Sequence, residues 1–154
     1  MPTGDDAPGT EELARSKAIS SAIELSRRGM SERALERLAP LVDKDPEDAE
    51  AWAAMGVAFM RLSQHEEAVE ALRNACSAEP GNTSHWYNLS IAASQVGDVE
   101  TETTALRKAV EADPRNINAW NNLGVVLQII GHHEEALECF DRVLELNPED
   151  IRAW

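Results

Sequence analysis

The chain has 154 residues, 43% apolar and 27% charged, which is a globular rather than a disordered composition. Lys and Arg number 14 against 28 Asp and Glu, a net charge of −14, so no cationic surplus exists to neutralise nucleic acid or an anionic membrane. No stretch approaches the roughly eighteen apolar residues of a membrane span. No basic-then-apolar leader opens the chain, and Cys76 and Cys139 alone make no disulfide framework, so a cytoplasmic protein is expected.

Residues 1–14 combine Pro2, Gly4, Pro8 and Gly9 with Asp5, Asp6, Glu11 and Glu12. They read as an acidic, flexible tail, with Thr10 capping the first helix. Beyond it the chain repeats. Trp52, Trp86, Trp120 and Trp154 lie 34 residues apart, and so do Pro46, Pro80, Pro114 and Pro148. Units follow at 15–48, 49–82, 83–116 and 117–150, and 151–154 would open a further, truncated one. The first is degenerate, with Ala18 at the tryptophan place. Units 49–82 and 117–150 share ten identities in 34, among them Gly56/Gly124 and the runs His65-Glu66-Glu67-Ala68 and His133-Glu134-Glu135-Ala136.

Within a unit the apolar residues recur at helical spacing. Trp120, Leu123, Gly124 and Leu127 follow i, i+3, i+4, i+7, and Ala136, Leu137, Phe140, Val143 and Leu144 form a second such series. Gly131 breaks the first run and Pro148 ends the second, so each unit is two antiparallel helices of roughly 12–16 residues. In the first unit Pro40 falls inside the second helix and predicts a kink or early break. Ala22, Gly56, Ser90 and Gly124, four after each tryptophan place, should face the small Ala34, Ala68 and Ala136. The third unit has Glu102 there, and a carboxylate at such an interface needs a partner or water. Either Ser90 donates to it, or its stem lies along the interface and its head reaches solvent.

The spacing Trp120-x2-Leu123-Gly124-x2-Leu127, then Ala136-x3-Phe140, then Pro148, resembles the tetratricopeptide repeat. The resemblance spans 15–150. It implies an all-α, right-handed superhelical solenoid of helix pairs whose first helices line a concave groove and whose second helices face outward.

On each first helix, an arc roughly 80–200° from the tryptophan should face that groove. It carries Val57 and Arg61 in the second unit and Tyr87, Asn88, Ile91 and Gln95 in the third. In the fourth it carries Asn118, Asn121, Asn122, Val125 and Gln128. This face is nearly uncharged in a highly charged chain, and its amides both donate to and accept from a peptide backbone. Asn88 and Asn122, 34 apart, resemble the asparagine ladder of protein O-GlcNAc transferases. Chaperone-binding tetratricopeptide domains grip a carboxylate with Lys and Arg on this surface. Arg61 is the one basic residue on the arc of the last three units, which argues against acidic chaperone tails.

No catalytic constellation or cofactor site emerges. His132 and His133 are neighbours on a helix, so their side chains diverge by about 100° and do not converge on a metal. Cys76 and Cys139 sit on apolar faces as small core residues. The sequence therefore reads as a non-catalytic scaffold or adaptor, binding an extended, largely neutral protein segment. Two alternatives are a substrate-presenting arm of a larger enzyme, such as a protein glycosyltransferase, and a structural module forming homo-oligomers. The latter would stack through an uncapped C-terminal edge at Leu137, Phe140 and Leu144.

Overall fold

The computed structural model describes residues 8–149. Trp154 and the further unit expected at 151–154 lie outside the described residues, as do residues 1–7 of the tail. Between them run α1 (Pro8–Arg27), α2 (Ser31–Lys44), α3 (Ala49–Arg61), α4 (His65–Ala78), α5 (Thr83–Val96), α6 (Val99–Ala112), α7 (Ile117–Ile129) and α8 (His133–Leu146). There is no strand among the described residues. The helices pack as antiparallel pairs, α1 with α2, α3 with α4, α5 with α6 and α7 with α8. They form two compact units, the first ending at Ala78 and the second beginning at Glu79.

The turn inside each pair is set by one backbone position. Gly29, Gly97 and Gly131 adopt φ of 80°, 76° and 86°, and Ser63 stands in the same register at φ 58°. The left-handed conformation closes the first helix of a pair, and glycine enters it without a Cβ penalty. Ser63 takes it at a cost on the order of 1 kcal/mol.

Between pairs, a second set of periodic contacts starts each new helix. Asp48 Oδ1 accepts from Ala51 N at 3.1 Å, Asn82 Oδ1 from Ser84 N at 3.0 Å, and Asn116 Oδ1 from Ala119 N at 3.1 Å. Each satisfies an amide that the first turn leaves without a helical partner. The indole Nε1–H then donates backwards to the proline carbonyl six residues earlier: Trp52 to Pro46 at 2.8 Å, Trp86 to Pro80 at 2.7 Å, Trp120 to Pro114 at 2.8 Å. The half-buried rings pack on the cores of their own units, Trp52 in the first, Trp86 and Trp120 in the second.

Those cores are thin and alanine-rich. Ile19, Leu38, Val42 and Met55 gather with Ala22, Ala34, Ala51 and Ala58 in the first unit. Leu106, Val110, Leu123, Leu127 and Cys139 gather with Ala109, Ala119 and Ala136 in the second. The closest helix approach differs from the expected small-on-small pairing. A Cβ built on Gly56 would come 2.5 Å from Leu72 Cγ, and one on Gly124 would come 2.7 Å from Phe140 Cε1. Each glycine thus receives the large side chain one turn beyond Ala68 or Ala136. Helical side chains lean toward the N-terminus of their own helix, which brings the later residue back over the crossing point.

Two further expectations are corrected. α1 begins at Pro8, so residues 8–14, expected in the tail, are helical, and Thr10 lies inside the helix rather than capping it. Proline is at home at a helix start, where its missing N–H has no partner to lose. α2 runs unbroken through Pro40 to Lys44. Pro40 is exposed, so water can solvate the carbonyl one turn back that it deprives of a donor.

The long α1 is pinned to α3 by an ion pair. Arg15 Nε donates to Asp48 Oδ2 at 2.7 Å and Nη2 to Oδ1 at 2.7 Å, with Asp48's side chain 2% exposed. The Arg15 hydrogen bonds hold the Asp48 carboxyl below its usual range against the opposing effect of burial. A depressed folded-state pKa adds stability that is present above the unfolded value, about 3.9, and lost as pH falls through the folded one. Asp48→Asn keeps a capping side chain, as Asn82 and Asn116 do, and removes only the charge. It should lower unfolding stability by about 1–3 kcal/mol at neutral pH. The deficit should shrink toward zero in strong acid, measured by urea unfolding across pH.

Candidate functional site

The arc opposite the tryptophans divides between the two units. In the first, α3 carries Val57, half-buried, and Arg61, exposed. In the second, α5 and α7 carry the other nine expected residues, and the structure ties these two helices together there. Asn122 Nδ2 donates to the Tyr87 hydroxyl oxygen at 3.3 Å. Asn122 is therefore engaged with its own chain through one donor. The side chains of Asn88 and Asn121, both half-buried, make no hydrogen bond among the described residues. Asn118, Gln95 and Gln128 are exposed, and so is Val125 at 43%.

A concavity of about 200 Å³ opens where this face meets the first turns of α6. Ile91, Gln95, Asn122 and Val125 line it together with Ser90, Ser94 and Glu102. The expected Ser90–Glu102 pair does not form. Ser90 Oγ donates to the Tyr87 carbonyl at 2.6 Å, a local bond three residues back along α5. The Ser94 hydroxyl is the side chain that favours the Glu102 carboxylate instead. Burial pushes the Glu102 carboxyl above its ordinary range, and the Ser94 hydroxyl offsets only part of that. No arginine or lysine contributes.

Glu135 at the start of α8 is held by one local pair and one pair from α6. His132 Nδ1 lies 3.2 Å from Glu135 Oε1, while Arg107 Nη2 donates to Glu135 Oε2 at 2.8 Å. That arginine holds the Glu135 carboxyl below its usual range, and His132 adds to the effect. Cys76 and Cys139 are buried free thiols, pushed up by burial to pKa values of about 12 and about 11. Thiols so rarely ionised are poor nucleophiles.

The sequence reading missed a larger concavity, about 470 Å³, between α6, α7 and α8. Its walls include Trp120 and Arg142, whose guanidinium lies 5.8 Å from the indole centroid. Carboxylates of Glu111, Glu138 and Asp141 surround it. A single helical arc carries no trace of a hollow formed by three helices.

Comparison with known proteins identifies the repeats. Family models described as the tetratricopeptide repeat match residues 20–83, 53–117 and 117–150. The chain belongs to the tetratricopeptide repeat family. Among solved structures, the tetratricopeptide protein YrrB, described as having an unusual peptide-binding site, matches with a TM-score of 0.79 at 25% identity. The alignment covers 94% of this chain and 77% of that one. MamA matches with a TM-score of 0.77 at 22% identity, covering 84% and 76%. MamA from Desulfovibrio magneticus RS-1 gives 0.74 at 25%, covering 87% and 76%. No curated protein matches the sequence.

Tetratricopeptide repeats are protein-interaction modules, typically without catalytic activity, and they present extended surfaces built from successive repeats. Among the described residues, no helix is long and apolar enough to cross a membrane. The same residues hold no group of three or more His, Cys, Asp or Glu placed for a metal ion.

Glu102 gives this face a measurable signature. Its raised pKa means the folded state disfavours the charge, so its contribution is most favourable below the unfolded pKa and is lost as pH rises through the folded one. Glu102→Gln should therefore raise the thermal midpoint at neutral pH. The gain should disappear in acid, where both proteins carry a neutral group, as followed by circular dichroism.

Proposed function

We propose that the chain is a non-catalytic scaffold that holds an extended segment of a partner protein along the faces of its first helices. The carrying observation is the amide-rich, largely uncharged surface of α5 and α7, where Asn88 and Asn121 have unspent hydrogen-bonding capacity. Unspent amides on a half-buried face suit a peptide backbone, whose N–H and C=O groups alternate along its length. Ile91 and Val125 add apolar contact beside them, and Tyr87 adds an aromatic edge. Asn118 and Gln128 on α7 extend the same surface chemistry, and Val57 and Arg61 occupy the corresponding arc of α3 in the first unit. The likeness to YrrB, itself described as a peptide-binding tetratricopeptide protein, supports this reading.

A second reading is self-association through α8. Leu137 supports it, being 64% exposed. Leu144 is half-buried, and Phe140 is committed to its own repeat by its packing toward Gly124. Light scattering over a wide concentration range should show a mass rising with concentration, and Leu137→Glu should abolish the rise. A constant monomer would contradict this reading alone.

The peptide reading is tested by calorimetry with a peptide that binds the unaltered protein. Replacing Asn88 and Asn122 together by Ala removes side-chain hydrogen bonds worth about 1 kcal/mol each. Affinity should fall roughly ten- to thirtyfold while the helical circular dichroism is retained. Unchanged affinity would refute the amide face.

A further inference from the structure

The concavity at Glu102 is too small for an ordinary small-molecule site, since such pockets run to about 300–1,000 Å³; at about 200 Å³ it is on the scale of one long side chain. Its chemistry is unusually one-sided. The Ser90 hydroxyl proton is spent on the Tyr87 carbonyl, and one donor of the Asn122 amide is spent on the Tyr87 hydroxyl. The Ser94 hydroxyl already favours the Glu102 carboxylate. What remains is mostly acceptors, namely the Glu102 carboxylate, the lone pairs of Ser90 and Ser94 and the Asn122 carbonyl oxygen, against the second N–H of Asn122. Only Gln95 brings a side-chain amide with no hydrogen bond among the described residues.

An acceptor-rich hollow needs a guest that only donates. Lysine offers three donors and no acceptor, and arginine five and none. Ile91 and Val125 supply apolar walls along which the methylene stem of either would lie, with its charged end on the carboxylate. The charge also fits. Asp48 and Glu135 already have arginine partners, whereas half-buried Glu102 has only a serine hydroxyl. We infer that this concavity is the seat for one basic side chain, lysine or arginine, of an otherwise largely neutral bound segment. The inference rests on the peptide-binding reading and adds to it a fixed point of register. An uncharged amide ladder accepts a backbone at any step, whereas a single half-buried charge admits one alignment.

The test is selection of a random-peptide display library on the full chain and, in parallel, on the variant Glu102→Gln. The unaltered chain should enrich peptides with one Lys or Arg at a constant place among neutral residues. The variant should lose that preference while still binding. A synthetic copy of the best peptide and one with norleucine at the basic place then complete a double-mutant cycle by calorimetry. Either single change should weaken binding by roughly tenfold, and the two together by little more than one alone. The charge-reversed variant Glu102→Lys should instead enrich Asp or Glu at that place. Peptides with no basic position, or with one whose contribution Glu102→Gln leaves intact, would overturn the inference while the peptide face stands. Enrichment of no peptide, or of peptides indifferent to Ala at Asn88 and Asn122, would bring down the face and this inference with it.

Discussion

Each described tryptophan in this chain reaches back six residues to a proline carbonyl, and that bond makes the 34-residue period a structural rule. Proline has no N–H and cannot continue the helix before it, so its own carbonyl escapes the helical ladder and remains available. A half-buried indole needs an acceptor for its Nε1–H. The distances of 2.7–2.8 Å in three successive repeats show one need answering the other. The bond fixes the rotation of α3, α5 and α7 about their axes. Once the tryptophan side is turned to the inter-repeat loop and core, the residues 80–200° around the helix are left for something else.

What those residues offer differs between repeats. On α5 and α7 they form a coherent surface, since the Asn122–Tyr87 bond joins the two helices and Ser90 anchors to the Tyr87 carbonyl. Tyr87 is thus the organising residue of the face, accepting through both its hydroxyl and its main chain. Glu102 marks the place where the third repeat departs from its sisters, which have Ala68 and Ala136 in that register. An alanine there packs silently, whereas the carboxylate carries an electrostatic burden with no cation to relieve it. Natural proteins commonly accept such local costs at binding sites.

The period, the helix pairs and the identity of the arcs were legible in the sequence, because they depend on spacing alone. The capping series Asp48, Asn82 and Asn116, and the indole–proline bonds, were equally periodic and available to the same reasoning at constant offsets. Contacts that depend on where a side chain leans were not legible. One open reading had Ser90 serve Glu102, but its hydroxyl instead bonds a carbonyl three residues back on its own helix. Gly56 and Gly124 were expected to face alanines, yet Leu72 and Phe140 fill the space. Pro40 was expected to kink or break its helix, although a solvated helix face tolerates the ring, and residues 8–14 were expected in the tail. Arg15 gave no signal at all, since its partner Asp48 lies 33 residues away, where it caps α3.

The central claim is that the tryptophan side of each first helix belongs to the fold and the opposite side belongs to a guest chain. Nuclear magnetic resonance during titration with a selected peptide reads both sides at once. The account predicts shifts concentrated in the amides of Asn88, Ile91, Asn122 and Val125, with the indole Nε1–H resonances of Trp86 and Trp120 unmoved because their proline acceptors hold them. Indole resonances that move while the four face residues stay still would place the guest on the wrong side and contradict the account.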